Sequence, residues 1–331
     1  IDGSADYRFA VARYNSDGTL DTGFGTSGWA TVSFSGDGYD TALAFGMAVQ
    51  ADGKIVLAGE LIQGTSFALA VVRFNDDGTL DTAGFGTSGK FIFTDSGTPC
   101  LGTSVAIIPS SGKILIAGGG NVTTGTGIGH EILVLRLTTA GALDTGFATS
   151  GIARFATING TTTNSASSIR LQSDEKIVLF ASNKTFGDPV HWVRLTTAGA
   201  LDSTFGTGAG ARTFILPAQF FYANSTQAFQ ILGDDSIITA ATYGTNTGQQ
   251  KGILVKLTPN GDWDTSFGTP GIGSYLLTGQ SVTLTHGYPL VIAAGSYVIT
   301  GQDVNLKFGH VVTVGAGSYT ISGQSVTLQL N

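Results

Sequence analysis

Five carboxylates recur at one place in a repeated phrase, Asp21, Asp81, Asp144, Asp202 and Asp264, and each follows a basic residue by eight positions: Arg13, Arg73, Arg136, Arg194 and Lys256. Each Asp follows Leu or Trp and precedes Thr or Ser, so its carboxylate is placed to accept backbone N–H groups of the next turn. Acid–base catalysis needs different groups converging on one point, whereas one group repeated five times implies a structural job. These five Asp are therefore read as repeat corners, and Arg13, Arg73, Arg136 and Arg194 as partners of a neighbouring carboxylate or carbonyl between repeats. The runs from Asn15 to Asp21 and Asn75 to Asp81 have a superficial likeness to a calcium loop. They lack its distal bidentate Glu, which leaves a hairpin turn. His130, His191, His286 and His310 do not stand at metal-ligand spacing, and no Ser/His/Asp set can be picked out, so no catalytic, cofactor or metal site is expected. Phe220, Phe221 and Tyr222 sit in an insertion, residues 217–225, that the other repeats lack. They read either as a contact loop for sugar or protein or as a fold over a blade edge. Trp29, Trp192 and Trp263 read as packing between repeats.

The basic residues are spaced by 60, 63, 58 and 62 positions, which is the signature of a repeat architecture. Each unit carries four short strands bounded by turn residues. In the second these are Phe67 to Phe74, Lys90 to Phe93, Ser104 to Ile108 and Lys113 to Gly118, the content of one propeller blade. From Gly273 the period changes to 22: Gly-Ser-Tyr-x-x-x-Gly-Gln begins at Gly273, Gly295 and Gly317. Alternation puts Tyr297, Ile299, Val304 and Leu306 on one face of this module, which reads as a sandwich or a three-sided solenoid. The expected fold class is all-β: a β-propeller of about five blades over 1–272, then a small β-rich assembly or closure module over 273–331.

The 60-residue phrase, an aliphatic-Arg strand, then Asp-Gly-Thr-Leu-Asp-Thr-x-Phe-Gly, a strand, then Asp-Gly-Lys-Ile-Val-Leu-Ala-Gly, resembles the delta-60 repeat, a bacterial and phage β-propeller family. The likeness spans about residues 5 to 272. Units three and four depart from it at Ala140-Gly141 and Ala198-Gly199, Phe147-Ala148 stands for Phe-Gly, and Asp234-Asp235-Ser236 stands for Asp-Gly-Lys. The resemblance implies that the Lys-Ile-Val-Leu-Ala-Gly strands lie inside and the Arg strands outside, with blades at about 41–94, 103–156, 165–216 and 226–277. Residues 5–35 are then two outer strands without an inner pair, completed by the C-terminal segment, by a lost N-terminal region or by another chain. The Gly-Ser-Tyr repeats resemble those of phage tail and other virion proteins.

Charged residues make up only 12% of the chain, against about 25% in an ordinary globular protein. The net charge of −7 and the scattered Lys and Arg leave no basic field for nucleic acid. No apolar run is long enough to span a bilayer as a helix. Cys100 is alone, so no intrachain disulfide forms. The chain opens Ile1-Asp-Gly-Ser with neither an initiating Met nor a signal peptide, which implies processing or a missing front. The leading expectation is a non-enzymatic structural protein of a phage particle, a fibre, spike or decoration component located in the virion. Its partners would be other virion proteins or copies of itself, with a host glycan as a candidate ligand at loops 217–225 and 119–130. A secreted or cell-surface bacterial adhesin is the alternative, and a propeller lyase or glycosidase the third reading.

Overall fold

The computed structural model describes residues 7–95, 98–120, 131–158, 161–162, 165–182, 190–206, 208, 210–214, 221–222, 229–244, 250–267, 274–286, 290–292, 296–308, 312–314, 318–322 and 325–330. At 161–162, 182, 214, 221–222, 241–244, 250–253 and from 274 onward the description is of the backbone. The chain divides into two compact units, Ile1–Asp262 and Trp263–Asn331.

The first unit begins with a two-stranded sheet, β1 (Phe9–Ala12) and β2 (Trp29–Val32), followed by a single 3-10 turn. Next comes a four-stranded antiparallel sheet in sequence order: β3 (Thr41–Val49), β4 (Ile55–Gln63), β5 (Ser66–Phe74) and β6 (Lys90–Phe93). The second has the same order, with β7 (Cys100–Ile107), β8 (Ile114–Gly120), β9 (Glu131–Leu137) and β10 (Ile152–Phe155). A short ribbon, β11 (Thr157–Ile158) and β12 (Thr161–Thr162), leads to the third: β13 (Ala166–Leu171), β14 (Ile177–Ser182), β15 (Val190–Leu195) and β16 (Ala211–Phe214). In the fourth, β17 (Phe221–Tyr222) and β18 (Phe229–Ile231) share one edge of β19 (Ile237–Gly244), and β20 (Gln250–Leu257) takes the other. First strands of successive sheets touch, β3 with β7, β7 with β13 and β13 with β18. These are the blades of a β-propeller; among the described residues four have an inner pair and one is represented by its outer two strands.

The central strands are apolar on both faces because each blade is covered on both sides. In β8, Ile114 and Ile116 pack with Val56, Ala58, Leu69 and Val71 of the preceding blade. The alternate residues Leu115 and Ala117 pack with Ile169, Ile177 and Leu179 of the following one. Period-two alternation here divides one strand between two cores rather than between core and solvent. The first core joins Phe9, Ala30 and Val32 to Leu57, Leu61, Ala70 and Val72, and the last joins Phe180, Val190 and Trp192 to Phe229, Ile237 and Leu257. At the C-terminal end, residues 274–277, expected as the outer strand of the fourth blade, belong instead to the second unit.

That unit is built of parallel ladders from β21 (Ser274–His286), β22 (Leu290–Ile292), β23 (Ser296–Phe308), β24 (Val312–Val314), β25 (Ser318–Ser322) and β26 (Ser325–Leu330), with β21, β23, β25 and β26 in the first. Tyr275, Tyr297 and Tyr319 are paired in register, as are Leu284, Leu306 and Leu328. The short strands β22 and β24 form a second parallel ladder at the same offset. Identical phrases stacked one repeat apart in parallel are a solenoid, not a sandwich.

Candidate functional site

The corner after each Arg strand is where the charged residues converge. In the corner of β5, Arg73 Nε lies 2.8 Å from Asp81 Oδ2, and Lys54 Nζ reaches the same oxygen at 2.9 Å. Oδ1 accepts the Gly84 N–H at 3.0 Å. Arg136 and Lys113 hold Asp144 Oδ2 at 2.6 and 2.8 Å, and Arg194 holds Asp202 at 2.9 Å with Lys176 at 3.5 Å. Arg13 holds Asp21 at 2.7 Å. Asp264 Oδ1 accepts the Ser266 N–H and hydroxyl at 3.0 and 2.5 Å.

The same guanidinium also spans to the next repeat. Arg73 Nη1 donates to the Thr139 carbonyl at 2.6 Å, Arg136 to Thr197 at 2.6 Å, Arg194 to Pro259 at 2.7 Å, and Arg13 to Asp76. Its flat face lies over the Phe of its own corner, with 4.6 to 4.8 Å between Arg Cζ and the centroids of Phe24, Phe85, Phe147 and Phe205. On the far side of that ring sits the turn glycine of the next repeat. A Cβ on Gly199 would stand 2.6 Å from Phe147 Cε2, and φ there is +90°, so geometry and backbone both require glycine. A backbone bond completes each joint, such as Gly86 N–H to the Ala140 carbonyl at 2.8 Å. Asp, Arg, Phe and Gly thus form one inter-blade rivet, repeated four times.

These surroundings hold the carboxylates ionised. The Lys113 hydrogen bond lowers the Asp144 pKa, burial opposes it, and the Arg136 hydrogen bond and charge add to the lowering. For Asp81 burial is the largest influence and raises the value, but Lys54 and Arg73 together outweigh it. A general acid needs the reverse shift. These Asp act as fixed anions.

A second joint links the inner turns. Glu175 accepts the Ser110 N–H and hydroxyl at 2.8 and 2.7 Å, and Asp235 accepts those of Ser173 at 2.7 and 2.5 Å. Both acids have φ of +62° and stand where the first two blades have Gly53 and Gly112. Gln172 adds bonds to the Asp235 and Pro259 carbonyls, both at 2.9 Å. Sequence reasoning missed Glu175 and Gln172. The available signal was an acidic residue replacing Gly in the Asp-Gly-Lys turn. A cleft of about 610 Å³ opens between the first two complete blades, lined by Gln50, Lys54, Arg73, Ile108 and Thr139 among others. Its two cations are both engaged on Asp81.

Asp17 and Asp77 each accept the N–H and hydroxyl of the Thr two residues on, at 2.6 to 2.9 Å, closing hairpin turns. His191 is buried on β15 with Nδ1 3.0 Å from Thr213 Oγ1, and burial pushes its pKa down to about 4. His286 lies on β21, and His130 and His310 lie outside the described residues. Among the described residues no group of His, Cys, Asp and Glu is arranged to hold a metal. Phe221 and Tyr222 form β17, paired with Tyr243 and Thr242, while Phe220 lies outside the described residues. Tyr222 and Phe229 are seven positions apart, whereas their partners Thr242 and Thr239 are three apart, so the extra residues fall between β17 and β18. Loop 119–130 is described only at its first two positions. Trp192 packs between blades and donates to Thr239 Oγ1 at 2.8 Å. Trp29, by contrast, is half exposed on the outer strand β2, which carries it away from the inter-blade cores.

Four segments, residues 1–24, 50–83, 110–147 and 232–267, match the family model described as "Domain of unknown function (DUF5122) beta-propeller". Three of these segments carry an inner turn or its strand through to a corner Asp, so over them the chain resembles this β-propeller family. No curated protein matches the sequence. Among solved structures, the chain is similar to a protein of unknown function from Dyadobacter fermentans at 12% identity and a TM-score of 0.39. That match covers 65% of this chain and 61% of the other, so the chain spans about three fifths of that protein. It is also similar to a GH43 endo-arabinanase from Bacillus licheniformis at 11% identity and a TM-score of 0.27, covering 66% of this chain and 93% of that one.

Proposed function

We propose that the chain is a non-enzymatic structural protein of a phage particle, a fibre, spike or decoration component. On this reading the propeller presents loops toward a host surface and the terminal ladder joins copies or neighbours. The observation that carries the assembly role is the ladder. Its outer rungs, β21 on one side and β25 and β26 on the other, pair only with β23 among the described residues. A parallel solenoid with both end rungs open is a template for further strands. The scaffold role is supported by the corners, where Asp81, Asp144 and Asp202 are spent on inter-blade joints.

Native mass spectrometry of the intact chain and of a version ending at Asp262 tests the assembly role. The intact chain is expected as a trimer or larger and the shorter one as a monomer. Two monomers would overturn it. Mass spectrometry of purified particles from a producing host tests the virion assignment, and its detection only in culture supernatant would favour an adhesin.

A further inference from the structure

The inner turns of successive complete blades are clamped together at two joints and differ at the remaining one. Where the second blade meets the third, Glu175 accepts the N–H and hydroxyl of Ser110, and where the third meets the fourth, Asp235 accepts those of Ser173. Where the first meets the second, the acid position is Gly112 and the counterpart of Ser173 is Ala51. Carboxylate and hydroxyl are both missing from that clamp. The Ala51 N–H, which corresponds to the clamped N–H of Ser173, has no acceptor among the described residues.

The side-chain amide beside the clamp is correspondingly looser. Gln172 donates to the Asp235 and Pro259 carbonyls, both at 2.9 Å, and accepts from Arg194 at 3.1 Å. Its counterpart Gln50 donates to the Gly112 carbonyl at 3.4 Å and accepts from Arg73 at 3.3 Å. The second blade's turn is also longer. The Ile108 N–H bonds the Lys113 carbonyl, five residues on, whereas Gln50, Gln172 and Leu232 bond the carbonyls of Lys54, Lys176 and Ser236, four residues on. A longer turn with no clamp to draw it in leaves the cleft of about 610 Å³, and Ala51 and Gly112 both line it.

The other walls set the character of an occupant. Val49, Ile108 and Pro109 give the cleft an apolar side. Lys54 and Arg73 are both held on Asp81, and Asp52, whose Oδ1 accepts the Lys54 N–H at 3.2 Å, offsets the remaining positive charge. Selection therefore falls to the open N–H and the apolar wall rather than to a net field. Small-molecule sites are commonly clefts of about 300 to 1,000 Å³ with apolar walls and a few placed polar groups, and this cleft is of that size.

We propose that the cleft binds a small carboxylic acid with an apolar body. The ligand's carboxylate accepts the Ala51 N–H, doing at this joint what the Glu175 and Asp235 carboxylates do at the later ones, and its body lies on Ile108 and Pro109. A neutral acceptor is held less well, because a hydrogen bond to an ionised oxygen is about twice as strong.

The test is an NMR titration of the full isotope-labelled chain with hexanoate, beside hexanamide and glucuronate. Hexanoate should shift the Ala51 and Gly112 amide signals saturably, and hexanamide should bind about tenfold more weakly. Gly112→Asp installs the missing clamp. Its φ is +67°, against +62° at Glu175 and Asp235, and the new Cβ would stand 3.3 Å from the methyl of Thr139, an exposed side chain that can turn aside. With that acid in place, hexanoate should bind about tenfold more weakly or worse. Ala51→Pro removes the N–H and keeps the turn, because Ala51 follows the first residue of a turn closed by the Gly53 N–H on the Gln50 carbonyl, where proline is favoured. It should cost a similar factor. No saturable shift at Ala51, equal binding of hexanoate and hexanamide, or unchanged hexanoate binding in either folded variant would overturn the proposal. So would a preference for glucuronate over hexanoate, which would make a polar-bodied acid the occupant.

Discussion

At the scale of single residues, the repeated aspartates show why one carboxylate can matter far beyond its own turn. Asp144 orients Arg136, and Arg136 in turn holds the next repeat's carbonyl and covers Phe147. Replacing Asp144 by Asn leaves a buried guanidinium without its anion, a loss of about 3 kcal/mol. The pH dependence follows from the direction of the shift. Asp144 is held below its ordinary 3.8 in the folded chain. Its contribution is therefore complete above pH 3.8 and disappears as the pH falls through the lowered folded-state value. Urea unfolding should show the full deficit of Asp144→Asn at pH 7 and at pH 5, narrowing only below pH 3.8. A deficit that narrows already between pH 7 and 5 would mean that Asp144 is not the group responsible.

At the scale of elements, the inner turns carry a choice that the first two blades and the next two make differently. Gly53 and Gly112 occupy the left-handed position at no steric cost, whereas Glu175 and Asp235 accept the strain and hold the preceding turn's Ser in return. Left-handed backbone costs a non-glycine residue about 1 kcal/mol, similar to the net worth of an exposed charge-assisted bond. Glu175→Gly should therefore be within about 0.5 kcal/mol of the parent in urea, and Glu175→Ala about 1 to 2 kcal/mol less stable. Equal losses would show that the backbone strain is negligible. This pairing explains what could be read from the sequence and what could not. The strands and their grouping were readable because alternation and a 60-residue period are local and repeat. The rivets were not, because they join Arg73 to Thr139 and Ser110 to Glu175, residues more than sixty positions apart whose types alone suggest only generic pairing. Alternation was equally silent on whether the 22-residue repeats would pair in parallel, since the same faces arise in a sandwich and in a solenoid.

At the scale of the whole first unit, the described interfaces form a linear series: the half blade on the first complete blade, then three joints between complete blades. In such a series each blade is held by its neighbours, and an end with one neighbour opens before the middle does. The joints are chemically alike, so position rather than composition should set local stability. β8 and β9 are buried on both faces, between the cores they share with the blades before and after. β1 has a single covered face and an unpaired edge among the described residues. Native-state hydrogen exchange should accordingly rank amides by distance from that end. Phe9–Ala12 and Trp29–Val32 should exchange through small, denaturant-insensitive openings, and Ile114–Ala117 and Ile132–Leu135 only through openings that expose a whole blade. Arg13 and Arg136 make the same kinds of contact to their corner Asp and Phe, so if β1 and β8 were equally protected, the solvent exposure of Arg13 would have no energetic consequence. If the gradient is found, position in the series rather than the chemistry of the joint sets the local stability of each blade.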